Sequence, residues 1–385
     1  MDRYDYDPAD SDFAARAPEI YRWMRDEHPV YVDPRGGFYA LSRFEDVRSA
    51  SLDWRTFSSK GKDAQQSLAP TLNGTDPPRL NQLRALIAGD FANSRMANLE
   101  NDVRAIARGL LDPILAEGHG EMIGSFAALL PSMVTGRLLG LPPEAWAEGR
   151  DITDAVMRWR TLEDLVAAHQ RLYAFFREFL QGRCPFDEAG MFPALMTAEI
   201  DGERLSENDL LGFAAALHIG GNDTTTNMIG GALALLARHP DLRQELREHP
   251  VLIPDAIEEV LRLESPAHST PRVTTRDVEL HDVTIPARSQ VKMLWRSANL
   301  DEREFRDPER FDIHRRPKRH LAFGWGVHLC VGAPLARLEA RIALEELLPR
   351  LGDYELTAEP VRVVSAMFNG FERVDITFQD QDPVA

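Results

Sequence analysis

Cysteine is almost missing from this chain: only Cys184 and Cys330 occur in 385 residues. Two thiols cannot build a disulfide scaffold, so stability has to come from a packed core, and a reducing compartment is expected. Long apolar runs are lacking as well. No stretch of about 18 uncharged apolar residues is present, which excludes a membrane-spanning helix. The N-terminus, MDRYDYDPADSDFAAR, has neither the basic start nor the apolar centre of a signal peptide, so the expected location is the cytoplasm. Basic residues are outnumbered, with 44 Lys and Arg against 61 Asp and Glu and a formal net charge of −17. That balance argues against a general nucleic-acid binder and against attachment to anionic membranes.

What is present is ordinary globular composition, 44% hydrophobic and 27% charged, in a chain long enough for two domains or one large one. The informative stretch is Phe323 to Gly332, FGWGVHLCVG, which carries Cys330 among three glycines. Behind it, PLARLEARIALEELL has apolar residues at helical spacing. A thiol at a helix mouth is favoured as thiolate by the helix amides and dipole, and Gly324, Gly326 and Gly332 let the backbone approach something flat. By residue type alone, the competing reading is a buried structural cysteine.

The spacing of Phe323, Gly324, Gly326, His328, Cys330 and Gly332 resembles the haem-binding loop of the cytochrome P-450 family, the haem-thiolate monooxygenases. The resemblance implies a haem b whose iron is bound by Cys330, a propionate contact from His328, and Phe323 packed on the sulfur side. It extends from Pro18 to Phe378. It therefore implies a mainly α fold with a smaller β-rich part, the haem lying between a long central helix and the cysteine loop, in one domain over residues 1–385.

That central helix is expected from Ser206, which forms a capping box with Asp209, to the stop at Arg238-His239-Pro240. Some 32 residues at 1.5 Å each make about 48 Å, enough to cross a domain. Its middle, Gly220, Gly221, Asn222, Asp223 and Thr224, is poor helix material, and the threonine hydroxyls are expected to bend it. This segment is similar to the family's oxygen-side groove. The resemblance implies that Gly220 and Gly221 are cofactor-binding, that Thr224 stabilises the iron-bound oxygen group and that Asp223 feeds protons to it through water.

Further positions follow the same family order. After Asp76-Pro77-Pro78, Arg84 matches a propionate-binding arginine, whereas Leu80 stands where relatives have His; Asn81, another arginine or water would have to supply that contact. Arg272 matches a second propionate ligand. Glu259, Arg262 and Arg310 resemble a buried structural triad beneath the cysteine loop. Asp282 and Arg288 replace glycines common in relatives.

The aromatic series Trp159, Tyr173, Phe175, Phe176 and Phe179 reads first as core, in a region where the family carries its substrate lid. Pocket walls are expected from residues 60–74, 150–190 and the turns near 268 and 368, where Met367 or Phe368 could reach inward. The basic run Arg315, Arg316, Lys318 and Arg319, with Arg79, Arg337 and Arg341, is expected to dock an acidic ferredoxin or flavodoxin. The reaction implied is hydroxylation or epoxidation of an apolar small molecule with O2. The alternatives are a peroxide-driven or non-oxygenase reaction on the same fold and a non-catalytic haem-thiolate sensor.

Overall fold

The computed structural model describes residues 5–61, 72–157, 159, 161–317 and 319–378. Most of the 60–74 loop and Lys318 therefore lie outside the described residues, and with them those two expectations.

Helices dominate the described residues: α1 (Phe13–Glu27), α2 (Phe44–Leu52), α3 (Arg79–Ile87), α4 (Asn93–Glu117), α5 (Leu129–Leu139), α6 (Trp146–Met157), α7 (Leu162–Leu180), α8 (Met191–Thr197), α9 (Glu207–Arg238), α10 (Pro240–Glu248), α11 (Ile253–Leu263), α12 (Trp295–Asn299) and α13 (Ala333–Leu351). None is long and apolar enough to cross a membrane.

The centre is α9, against which α5, α6, α7, α11 and α13 all pack. It starts at the expected capping box, with the Asp209 amide donating to Ser206 Oγ and the Ser206 amide donating to the Asp209 carboxylate, both at 3.1 Å. Its middle stays helical throughout. Thr224 and Thr226 hydroxyls donate to the carbonyls four residues back, Gly220 at 2.9 Å and Asn222 at 3.1 Å. Packing on several sides outweighs the poor propensity of this segment, because burial of an apolar face contributes more than propensity withholds.

The expected hairpin is present: Val30–Val32 pairs antiparallel with Tyr39–Leu41. A parallel partner, Gln290–Met293, then joins Tyr39–Leu41 to Thr270–Thr274, so one sheet ties the N-terminal hairpin to the strand carrying Arg272. Asp282 and Arg288 occupy left-handed backbone at φ 59° and 62°, the conformation that glycine would take most easily. Tyr173, Phe175, Phe176 and Phe179 are core, as their spacing suggested, and Phe176 stacks on Phe192 with ring centres 5.4 Å apart. Trp159 lies beyond the end of α6 and is half-buried.

The buried triad has a different third member. Arg262 grips Glu259 through two 2.8 Å bonds and also donates to the carbonyls of Asn299 and Pro308. The second arginine on Glu259 is Arg315, at 3.0 Å, whereas Arg310 is exposed and offers only its backbone carbonyl to Arg262 and Arg315. This removes Arg315 from the expected docking surface, because its charge is spent on a fully buried carboxylate.

The triad yields a stability prediction. Glu259→Ala strands the charge of Arg262 in the interior, and breaking a buried pair in this way typically costs about 3–5 kcal/mol. Chemical denaturation should register a loss of that order. A change within about 1 kcal/mol, the size of a surface pair, would contradict the role.

Candidate active site

The segment Phe323 to Gly332 has little regular structure, a single 3-10 turn at Gly326–His328, and is held by backbone bonds. The Cys330 amide donates to the Phe323 carbonyl at 2.9 Å, Leu329 to Gly326 at 3.1 Å and Gly324 to Leu321 at 2.9 Å. Gly324 and Gly326 both adopt φ of +71°. At Gly326 a side chain is doubly excluded, since its Cβ would stand 2.7 Å from the Ser51 carbonyl at the end of α2. Gly332 is the residue before α13, so Cys330 sits at the helix mouth as its sequence suggested.

The thiol receives backbone hydrogen bonds from Gly332 and Ala333 and feels the positive charges of Arg84 and Arg337, all of which favour the thiolate. Burial nevertheless dominates and raises its pKa. Yet by accessible area the residue is exposed. Both facts are met by a sulfur deep in the protein that faces interior space. Such a thiol becomes an anion when a metal binds it, since a coordinating thiol is deprotonated outright.

Beneath the loop, adjacent glutamates in the middle of α11 anchor different segments. Glu259 holds the triad, and Glu258 accepts two bonds from Arg337, at 2.6 and 2.8 Å, with His320 Nε2 at 2.9 Å. Burial would raise the Glu258 pKa, but Arg337 and His320 hold it down at about 2. The Arg337 guanidinium lies 4.5 Å from the centre of the Phe323 ring, which fixes that ring beside the loop. Glu258 was not among the expected site residues.

Cations gather at the edge of this space. Arg84 Nη2 donates to the Leu329 carbonyl at 2.8 Å, and Arg272 Nη1 to the Pro271 carbonyl at 2.8 Å. Neither makes an ion pair among the described residues. Burial lowers the pKa of Arg272 to about 10, with Asp76 opposing, and also lowers that of Arg84. His328 is pushed down to about 4 by burial, Arg272 and Arg84 together. Its Nε2 lies 2.8 Å from Ser59 Oγ, a partner that sequence spacing did not reveal. Two part-buried guanidiniums without carboxylate partners call for an anion.

Leu80 does not contribute: it is fully buried in the core. Asn81 is exposed and lines a cleft of about 340 Å³ outside the loop with Trp54, Arg55, Pro77, Pro78 and Val327. Met367 and Phe368 lie in the expected turn, where the Met367 carbonyl accepts from the His268 amide and Phe368 bridges Ala267.

On α9, Gly220 is exposed, and Gly221, Asp223 and Thr224 are partly so, while Asn222, Thr225 and Thr226 are buried. A Cβ on Gly220 would meet nothing within 4 Å. Gly221 differs: its Cβ would lie 2.5 Å from Thr135 Oγ1 on α5. Helix packing thus gives Gly221 a role of its own. The expected docking arginines are paired too: Arg79 with Asp209, Arg316 with Asp255, Arg319 with Glu304, Arg337 with Glu258, and Arg341 with Glu100 and Glu345.

A sulfur facing interior space at a helix mouth, two guanidiniums awaiting acids, and a bare glycine on the central helix together fit a haem with its two propionates. The fold is that of a haem-thiolate enzyme. The family model for cytochrome P-450 matches residues 143–352. Cyclomarin C epoxidase CymV of Salinispora arenicola is 35% identical over 89% of this chain and 91% of its own. A steroid C26-monooxygenase of Mycobacterium tuberculosis is 33% identical over 99% and 98%. The solved structure of cytochrome P-450 CYP109Q5 from Chondromyces apiculatus superposes with a TM-score of 0.89 at 36% identity, covering 98% and 99%. The chain belongs to the cytochrome P-450 family, and it is a haem-dependent monooxygenase that uses O2 and a redox partner.

The two neighbouring glycines give opposite predictions. Gly220→Ala adds a methyl to open space and removes the helix penalty of glycine, so stability should rise by up to about 1 kcal/mol. Gly221→Ala overpacks the α5 contact and should cost about 1–3 kcal/mol. Denaturant midpoints that move together in sign would contradict this division.

Proposed function

We propose that Cys330 is the axial thiolate of a haem b iron, that Arg84, Arg272 and His328 hold the propionates, and that Asp223 and Thr224 manage protons on the opposite face. One domain would then insert one oxygen atom into a C–H or C=C bond of an apolar small molecule. The carrying observation is the gathering of Arg84, Arg272 and His328 around the Cys330 loop without an ion pair on either arginine. When bound, the haem supplies O2 activation, with the thiolate pushing electron density towards O–O cleavage. The choice between hydroxylation and epoxidation stays open, and relatives named for each support the class.

The chain's own residues have separable tasks. Arg84 and Arg272 would recover the cost of their burial by binding carboxylates, and His328, neutral and fixed on Ser59, would donate without adding charge. Phe323, held by Arg337, shields the sulfur, and Gly324 and Gly332 shape the turn around it. Gly220 leaves room on the oxygen side. Thr224 Oγ1 points its proton at the Gly220 carbonyl, which leaves the oxygen lone pairs to accept from a donor. Asp223, one residue earlier, would feed protons to that side through water. The two free cysteines suit a reducing compartment such as the cytoplasm.

A ferredoxin or flavodoxin is the proposed electron donor, docking outside the cysteine loop. Arg316 and Arg319 remain its best described contacts: their side chains are 63% and 53% exposed, and exposed pairs are weak enough to exchange partners. Lys318 lies between them in sequence. Arg55, at the rim of the 340 Å³ cleft, adds charge on that side.

Thr224→Ala should continue to consume reductant while releasing peroxide in place of product, measured as product formed per reductant oxidised. Full coupling in that variant would remove the proton role. Reduction by an acidic ferredoxin should slow as ionic strength rises, because exposed charges are screened beyond about 10 Å at 0.1 M salt. Stopped-flow rates indifferent to salt would contradict the charged dock.

A further inference from the structure

Two arginines bring positive charge within reach of the Cys330 sulfur, Arg84 and Arg337, against the burial that raises its pKa. Their partners differ. Arg84 donates to the Leu329 carbonyl and has no carboxylate among the described residues, whereas Arg337 grips Glu258 through Nε at 2.6 Å and Nη2 at 2.8 Å. Of the two charges, the chain balances only that of Arg337 with a carboxylate of its own.

The helix α11 supplies this carboxylate beside that of the triad. Successive helix residues point about 100° apart, so Glu259 turns into the core while Glu258 turns towards Arg337 on α13. Glu258 also fixes both polar neighbours of the Phe323 ring. The Arg337 guanidinium lies 4.5 Å from the ring centre, and the His320 ring centre lies 6.0 Å from it. The Ala322 amide donates to His320 Nδ1 at 3.2 Å, so the imidazole proton sits on Nε2, which donates it to Glu258 at 2.9 Å. In that tautomer the ring is neutral. His320 therefore orients Glu258 without cancelling its charge, and that charge is left to balance Arg337.

We propose that Glu258 is a positioning residue for electron entry: it holds Arg337 on Phe323, cancels the arginine's charge, and so sets the reduction potential of the haem bound at Cys330. The inference rests on the haem reading and adds a residue to it. Positive charge beside a redox centre favours electron uptake, and negative charge opposes it. An uncompensated Arg337 would thus ease reduction, and an uncompensated Glu258 would hinder it. The side chains are 43% and 25% exposed, so solvent screens both charges and keeps the effect moderate.

Redox titration of the haem-loaded chain at about pH 8, where carboxylates are ionised, tests this, with a reduced carbon-monoxide spectrum taken for each protein. Glu258→Gln should raise the potential and Arg337→Gln should lower it. Each shift should be roughly threefold to tenfold in the ferric–ferrous equilibrium, tenfold being ~59 mV for one electron. Arg337→Lys keeps the charge without the fork and should stay near the unaltered chain. Loosening of the loop alone would move both neutral variants the same way. Shifts of one sign, no shift, or an Arg337→Lys shift as large as that of Arg337→Gln overturn the proposal. If Glu258→Gln fails to hold haem, the two Arg337 variants decide by the same criteria. An unaltered chain that lacks the thiolate-type band overturns the haem reading, and this inference with it; a normal band with unmoved potentials overturns this inference alone.

Discussion

The clamp on the Cys330 loop is the constraint from which the rest of the structure follows. The loop has almost no regular structure, so its rigidity comes from outside. Glu258, in the middle of α11, provides part of it through Arg337 and His320, while its neighbour Glu259 holds the segment leading up to the loop through Arg262 and Arg315. Arg337 then fixes Phe323, and the Phe323 carbonyl receives the Cys330 amide. Loss of Glu258 would release Arg337 and with it the aromatic ring beside the sulfur. A ligand atom held this way needs no rearrangement to meet a metal, which is what preorganised sites require.

Charge is distributed to match. Carboxylates under the loop are paired with arginines, whereas the arginines above it, Arg84 and Arg272, are not. Burial holds these two in a costly state that an acidic cofactor edge would relieve. The central helix divides its faces in the same spirit: Gly220 and Thr224 are open or partly open, while His218, Gly221 and Asn222 face α5 and α6.

Local signals were legible in the sequence. The glycine spacing around Cys330, the Ser206 capping box and the hairpin at Val30 each depend on residues a few positions apart. What sequence hid was long-range choice. Arg310 and Arg315 lie in one arginine-rich stretch, and only the path of the chain past Pro308 decides which side chain turns inward to Glu259. Gly221 looked like its neighbour Gly220 until Thr135, 86 positions earlier by residue number, stood against it. Ser59 beside His328 and Glu258 beneath Arg337 are contacts between distant segments with no local pattern to announce them. The basic run near residue 316 was visible, but its pairing with Asp255 and Glu304 was not.

The central claim is that Cys330 is the thiolate ligand of the haem iron, and the reduced carbon-monoxide spectrum reads that bond directly. The haem-loaded chain should show the long-wavelength Soret band of a thiolate-ligated haem, and Cys330→Ser should lose it while retaining bound haem. A Cys330→Ser protein that keeps the thiolate-type band, or an intact folded and haem-loaded chain that never shows it, would contradict the account.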